Sequence, residues 1–201
     1  MNAYIVVVMA LFVLGLTSCA TAPKVRRTEV EEQIDLSGDW NDTDSQLVSA
    51  EMVKDVLSRP WVSEFEAKKH TKPCVIVGTV LNRSHEHINT QTFVKDLERE
   101  LINSGRVKFV ASKEERAEVR EERKEQQLGF TDAVTAKEFG KEVGADFMLK
   151  GQINSIMDEA AGKAVKYYQV ELELVDLETN EKTWIGQKKI KKFVKRARTK
   201  L

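Results

Sequence analysis

Apolar residues in the first half of the chain recur every three or four positions, which is the spacing of one helix face. The first stripe predicts a helix that begins at Thr43 and ends at Arg59-Pro60, because a residue before proline avoids the α region. Thr43 and Gln46 have the spacing of a capping box at its start. Four further helices are predicted, over 61–69, 90–104, 113–127 and 135–143. The helix over 113–127 is expected to be largely solvated, because Ala117 and Val119 are its only apolar residues.

Strand patterns fill the remainder of the chain. The run Cys74–Leu81 is apolar on both faces, as in a central strand covered on two sides, and Arg106–Val110 predicts a short strand. In the last third, apolar and polar residues alternate in three runs, with a polar turn over Glu178–Glu181. The sequence therefore predicts an α+β fold: a single domain with a mixed sheet, a C-terminal antiparallel meander and helices packed on it.

The N-terminus carries an unbroken apolar run from Tyr4 to Leu16, followed by Thr17, Ser18 and Cys19. The run is shorter than the ~20 residues of a membrane-spanning helix and ends in small residues. It resembles a bacterial lipoprotein signal peptide, which implies cleavage before Cys19 and lipidation of Cys19 with palmitate-type chains. The alternative is an N-terminal anchor that is never cleaved.

This interpretation divides the chain into a signal peptide (1–18), a lipidated N-terminus with a short linker (19–35) and an α/β domain with a basic C-terminal tail (36–201). Ala20 in the second mature position is not the aspartate associated with retention in the inner membrane. We therefore expect a periplasmic domain anchored by lipid to the outer membrane.

The net charge and the cysteine count of the chain exclude some classes of function and structure. The chain has 32 acidic and 32 basic residues, and a formally neutral protein is not a nucleic-acid binder by overall charge. Only two cysteines occur, of which Cys19 is expected to be acylated, so a disulfide framework is excluded. Cys74 lies in an apolar run and is expected to be a buried hydrophobic residue.

No constellation of residues predicts an enzyme. His85-Glu86-His87 places two histidines two positions apart, but zinc sites need three or four ligands and no third ligand has suggestive spacing. A polar loop is therefore the favoured interpretation. Neither Cys74 nor Ser84 belongs to a nucleophile motif, and no glycine-rich phosphate loop is present. We predict no catalytic site, metal, cofactor or small-molecule substrate.

Two features leave alternatives open. Trp40, just before the first helix, could anchor an interface or lock the chain where that helix begins, and Asp44 could merely complement the helix dipole. The run 188–200 contains eight basic residues and no acid. It could meet anionic lipid, wall polymer or an acidic partner, or be a solvated tail.

Four segments resemble the LpoB family of lipoproteins, which activate class A penicillin-binding proteins. They are Asp35–Ser45, Val80–Ile88, Leu101–Val107 and Gly144–Gly151. The resemblance implies a compact domain without a catalytic site, which docks on a peptidoglycan synthase and stimulates it. The residues that it marks for partner binding are Trp40, Asn41, Asp44, Arg83, Ser84, Glu86 and His87.

The tether weakens the partner assignment. Ala20–Asp35 has 16 residues, about 55 Å fully stretched and ~20–25 Å as a coil, whereas a periplasm is several times wider than the coil.

The alternative function is a subunit of an oligomeric secretion lipoprotein similar to the curli exporter. Against it, Glu171 and Glu173 alternate with core-type residues in one packed meander. A cell-wall hydrolase is a third hypothesis, which lacks any catalytic set.

Overall fold

The computed structural model describes residues 26–29 and 32–195. The chain divides into two units, residues 1–32 and 33–201. In the described part of the first unit, Arg26 pairs with Glu32 at 3.5 Å. The predicted signal peptide, Cys19 and the last residues of the basic run, 196–200, lie outside the described residues. Within the described ranges, no helix is both long and apolar enough to cross a membrane.

The second unit is an α+β domain, as predicted. Its described elements are α1 (Asp42–Ser58), α2 (Trp61–Lys69), β1 (Cys74–Arg83), α3 (Thr90–Asn103), β2 (Lys108–Phe109), α4 (Lys113–Gln126), β3 (Phe147–Ala160), β4 (Lys163–Asp176) and β5 (Lys182–Lys195). The sheet has the order β2-β1-β3-β4-β5. β1 is parallel to β2 and β3, whereas β3, β4 and β5 form the predicted antiparallel meander.

The core lies between one face of the sheet and the helices. α1 packs on α3 and β5, and α3 packs on β1. From α2, the rings of Trp61 and Phe65 contact Phe147 of β3 at 5.0 and 5.5 Å. On β4, residues alternate between this core and the opposite face, which is polar near Glu171 and Glu173. The alternation read from the sequence therefore corresponds to one packed and one hydrated face.

The start of α1 differs from the prediction. The helix begins at Asp42, and its N-cap is Asn41 instead of Thr43. The Asn41 side chain accepts from the Asp44 N–H at 3.0 Å, and the Asp44 carboxylate accepts from the Asn41 N–H at 3.0 Å. Asn41 and Asp44 have the same capping-box spacing as Thr43 and Gln46, and a charged acceptor makes the stronger hydrogen bond. The predicted end at Arg59 is confirmed.

The predicted helix over 135–143 is wrong, because this stretch forms turns and irregular chain. Gly140 adopts a positive φ of 75°, which interrupts a helix in its middle. Val134, Phe139 and Val143 are all exposed, so a helix here would have no surface on which to pack. A short helix without tertiary contacts is not stable in water.

Part of the basic run 188–200 belongs to β5. Residues 188–195 continue the strand and pair with β4 along its length, so this part is ordered sheet and not a tail. Consecutive side chains of the strand consequently point to opposite faces of the sheet.

We expect Gly151→Ala to destabilise the domain by about 3 kcal/mol, because an added methyl group in a packed sheet has nowhere to go. A Cβ at Gly151 would overlap the backbone oxygen of Glu171 and lie 2.6 Å from Leu172 Cδ2. The matched control is Gly144→Ala, where a Cβ meets nothing within 4 Å. Urea unfolding measures both, and equal midpoints for the two variants would contradict the close strand contact.

Candidate partner-binding site

Glu86, in the loop between β1 and α3, is the centre of a polar cluster at one end of the sheet. Its carboxylate accepts hydrogen bonds from the Tyr168 hydroxyl at 2.7 Å, Lys166 Nζ at 2.8 Å and the Trp40 backbone N–H at 3.1 Å. Tyr168 is fully buried. Burial, and then the adjacent Glu86 carboxylate, raise the pKa of the Tyr168 hydroxyl far above its usual range, so it stays protonated and donates.

Two lysines of the sheet bind the N-terminal segment of this unit. Lys192 Nζ lies 2.5 Å from Asp44 Oδ2, 3.1 Å from Asp35 Oδ1 and 3.0 Å from the carbonyl oxygen of Asp39. Lys166 pairs with the Asp39 carboxylate. Burial alone would lower the pKa of Lys166, but its hydrogen bonds to carboxylates outweigh this and raise it. These ion pairs hold residues 35–44 against β4 and β5.

Trp40 packs edge-on against two buried rings. Its ring centroid lies 6.1 Å from that of Phe93 and 5.7 Å from that of Tyr168, with interplanar angles of 86° and 68°. Such edge-to-face pairs stabilise a core beyond the area that they bury. The side chain is half-buried, so packing at the start of α1 accounts for much of its surface. A part for Trp40 in binding stays a prediction.

The loop that follows β1 is fixed by its own polar groups. Ser84 Oγ donates to Asn82 Oδ1 at 2.6 Å, and the His85 N–H donates to Ser155 Oγ on β3 at 3.0 Å. Arg83 and His87 are exposed, and their side chains make no hydrogen bond or ion pair with any described residue. The end of β1 and the loop after it therefore present two unpaired side chains, Arg83 and His87, beside a hydrogen-bonded turn.

The structure brings together most of the residues that the sequence marks for partner binding. Trp40, Asn41, Asp44 and Glu86 belong to one cluster, and Arg83, Ser84 and His87 flank it. What sequence reasoning missed is the other half of the cluster, supplied by β4 and β5: Lys166, Tyr168 and Lys192. The available signal was a lysine in a core-facing position of β4, where Ala164 and Tyr168 are buried.

The described residues contain no group of three or more histidine, cysteine or acidic side chains that could hold a metal ion. Cys74 is buried, and burial, followed by the nearby Asp146 carboxylate, raises the pKa of its thiol. A raised pKa disfavours the nucleophilic thiolate. The geometry of the cluster is instead that of a fixed surface, with its buried polar atoms hydrogen-bonded to one another.

A family model described as peptidoglycan-synthase activator LpoB matches residues 44–190. The chain belongs to the LpoB family. The predicted family is thereby confirmed, and the match spans nearly all of α1 to most of β5. Of the four segments, Asp35–Ser45 falls within the match only at its last two residues. The family is one of synthase activators, which implies a regulator of an enzyme.

The chain also matches solved structures from several bacteria. The C-terminal domain of LpoB from Escherichia coli is 19% identical, and the match covers 73% of this chain and 98% of that one with a TM-score of 0.46. The LpoB domain from Salmonella enterica is 17% identical, with 65% and 93% covered and a TM-score of 0.35. Lipoprotein GNA1162 from Neisseria meningitidis is 15% identical, with 63% and 88% covered and a TM-score of 0.38. No curated protein matches the chain.

Tyr168→Phe should destabilise the domain by about 1–2 kcal/mol, because it removes a buried donor and leaves the Glu86 carboxylate with one hydrogen bond fewer. The matched control is the neighbouring Tyr167→Phe, whose hydroxyl bonds the half-buried Gln169 at 3.1 Å and whose loss should cost less than about 0.5 kcal/mol. Urea midpoints at unchanged slope measure both. Equal losses would contradict a special role for the buried hydroxyl.

Proposed function

We propose that this protein is a lipid-anchored periplasmic regulator that binds a class A penicillin-binding protein and raises its synthetic rate. The observation that carries this proposal is the LpoB family match over 44–190, which includes Glu86, Lys166 and Tyr168 of the polar cluster and the loop after β1. The lipoprotein-like segment that ends at Cys19 supports the anchor, and Ala20 supports sorting to the outer membrane.

Within the candidate site, exposure and pairing separate two kinds of residue. Hydrogen bonds and ion pairs inside the domain occupy the polar groups of Asn41, Asp44 and Glu86. Arg83 and His87 are exposed and unpaired among the described residues. We assign direct contact with the synthase to these two side chains, and the positioning of the loop to the cluster behind them. A rigid support lowers the entropy lost on binding.

The mechanism is differential affinity. A binding protein shifts an enzyme towards its active conformation only if it binds that conformation more tightly than the inactive one. The coupling is reciprocal, so the active synthase must also bind this domain more tightly than the inactive synthase does. No catalytic group on the regulator is required. The lipid tether raises the local concentration of the domain but contributes no activation itself.

The anchor has a direct test. Cys19→Ala should abolish acylation and release the protein as a soluble species, because each buried methylene of an acyl chain contributes ~0.8 kcal/mol to membrane binding. Fractionation of cells after a high-salt wash measures the distribution. The unmodified variant should leave the membrane pellet, and its retention there would contradict lipid anchoring.

The docking surface is tested by matched charge reversals in the unlipidated mature chain. Arg83→Glu should weaken binding to a class A synthase about tenfold or more, because it replaces a cation at a contact with an anion. Lys113→Glu, on the solvated helix α4, should leave binding unchanged. Affinity is measured on the purified synthase and activation by its glycan-polymerisation and crosslinking rates.

A pull-down from membrane extract identifies the partner without assuming it. Recovery of a class A synthase that Arg83→Glu loses and Lys113→Glu retains supports the proposal. If no synthase is recovered and polymerisation is unchanged, the activator function is wrong. A large ring assembly on sizing of the detergent-solubilised protein would favour the oligomeric secretion function instead.

A further inference from the structure

The lysines of β5 divide sharply between the two faces of the sheet. On the core-facing side, Lys188 pairs with Glu51, and Lys192 binds Asp44 at 2.5 Å. On the outer side, Lys189, Lys191 and Lys195 are exposed and make no hydrogen bond or ion pair with the described residues. The two sets of lysines lie on the same strand and differ only in the face of the sheet to which they point. Ion pairs within the domain account for the core-facing lysines but not for the outer ones.

The unpaired lysines belong to a patch, which we call the basic patch. It is the outer face of the last four cross-strand rows of the meander: Asn154, Ile156, Asp158, Ala160, Lys163, Val165, Tyr167, Gln169, Lys189, Lys191, Phe193 and Lys195. Four lysines and one aspartate give this face a formal charge of +3. Glu171, in the next row, interacts electrostatically with Lys189, but its pKa is lowered chiefly by hydrogen bonds from Gln152, Gln169 and Gln187.

Large apolar side chains lie among these lysines. Ile156 and Phe193 are each 65% exposed, and Ile156 lies in the same cross-strand row as Lys191. A solvated charged face has no need of exposed aliphatic and aromatic groups. Their combination with lysine is typical of surfaces at a membrane interface, where apolar tips reach the acyl boundary and ammonium groups stay with the headgroups.

The chain enters the domain on the opposite side of the same strand end. Asp35 bonds Lys192 at 3.1 Å, and a Cβ on Gly38 would overlap Val194. If Cys19 carries lipid, which rests on the proposed function, the domain is attached to the bilayer through the residues that precede Asp35. The basic patch lies at the same end of the sheet as the contacts of Asp35 and Gly38 with β5.

We propose that the basic patch binds the anionic phospholipid surface of the membrane to which the chain is anchored. Lysine ammonium groups meet the phosphate headgroups, and Ile156 and Phe193 enter the interface between headgroups and acyl chains. The contact is reversible and salt-sensitive, since few lysines take part and each is screened in solution. It fixes the orientation of the domain at the membrane, which the lipid alone leaves free.

The test uses the mature chain, Cys19–Leu201, with Cys19→Ala so that no lipid contributes. The probes are vesicles of pure phosphatidylcholine and vesicles with about one-third phosphatidylglycerol, at salt of about 0.1 M and about 0.5 M. We expect co-sedimentation with the anionic vesicles at low salt only. We expect the bound fraction to fall at least about tenfold in the patch variant, Lys189→Glu/Lys191→Glu/Phe193→Thr. The milder variant Lys189→Gln/Lys191→Gln should give a bound fraction between those of the patch variant and the parent.

The control variant, Lys113→Glu/Lys137→Glu/Phe130→Thr, changes the same charge and removes one exposed phenylalanine elsewhere. It should bind anionic vesicles as the parent does, and urea midpoints check that every variant is folded. Equal losses for the control and patch variants would overturn the proposal. So would equal binding to neutral vesicles, or no binding to any vesicle.

Synthase stimulation in vesicle-free solution separates this inference from the proposed function. The patch variant should stimulate the synthase as the parent does, because Arg83 lies on β1, across β3 and β4 from β5. If the patch variant loses stimulation, the patch is a protein-docking surface and the lipid proposal is wrong. Patch-dependent binding to purified sacculi without binding to vesicles assigns it to wall polymer and also overturns the proposal. Absence of synthase binding by the parent contradicts only the proposed function.

Discussion

The contact between the Glu86 carboxylate and the Tyr168 hydroxyl joins three parts of the domain that are distant in the sequence. Glu86 belongs to the loop after β1, Tyr168 to the middle of β4, and the Trp40 N–H to the segment before α1. Because Tyr168 is fully buried, its hydroxyl needs acceptors inside the domain, and it lies 2.7 Å from the Glu86 carboxylate and 3.0 Å from the carbonyl oxygen of Gly38. Through its hydrogen bonds to Tyr168 and to the Trp40 N–H, Glu86 therefore fixes the loop, the segment before α1 and β4 relative to one another.

This constraint explains why the residues of the family pattern do not all have the same role. The carboxylates of Glu86 and Asp44 accept several hydrogen bonds inside the domain, and Asp44 is buried, so little of either group is exposed to another protein. Under the proposed function, the side chains available for recognition are Arg83 and His87, which are exposed and make no hydrogen bond or ion pair with the described residues. Substitution of a cluster residue would consequently lower binding through loss of loop position. Substitution of Arg83 would lower it at constant stability, and the two effects are separable by unfolding measurements.

Local patterns predicted the elements well. The apolar stripe of α1, the proline that ends it and the alternation of the meander depend on neighbouring residues, and these are readable from the sequence. Pairings between Lys192 and Asp44, or between Lys166 and Asp39, join residues 148 and 127 positions apart. They depend on strand register, which no local pattern specifies. The helix predicted over 135–143 failed for a related reason, because its stability required a packing surface that the tertiary structure does not supply.

The two proposed surfaces lie at the same end of the sheet, and this has a consequence for regulation. Arg83 pairs in register with Asn154, whose row continues through Gln169 to Lys189 of the basic patch. Three strand spacings separate Arg83 from Lys189, about 14 Å. A domain that rests on the membrane through the patch holds its docking loop at the rim of that contact, where a large enzyme has little room. Docking on a synthase then requires release from the bilayer, which a weak, salt-sensitive contact permits and a deeply inserted one does not.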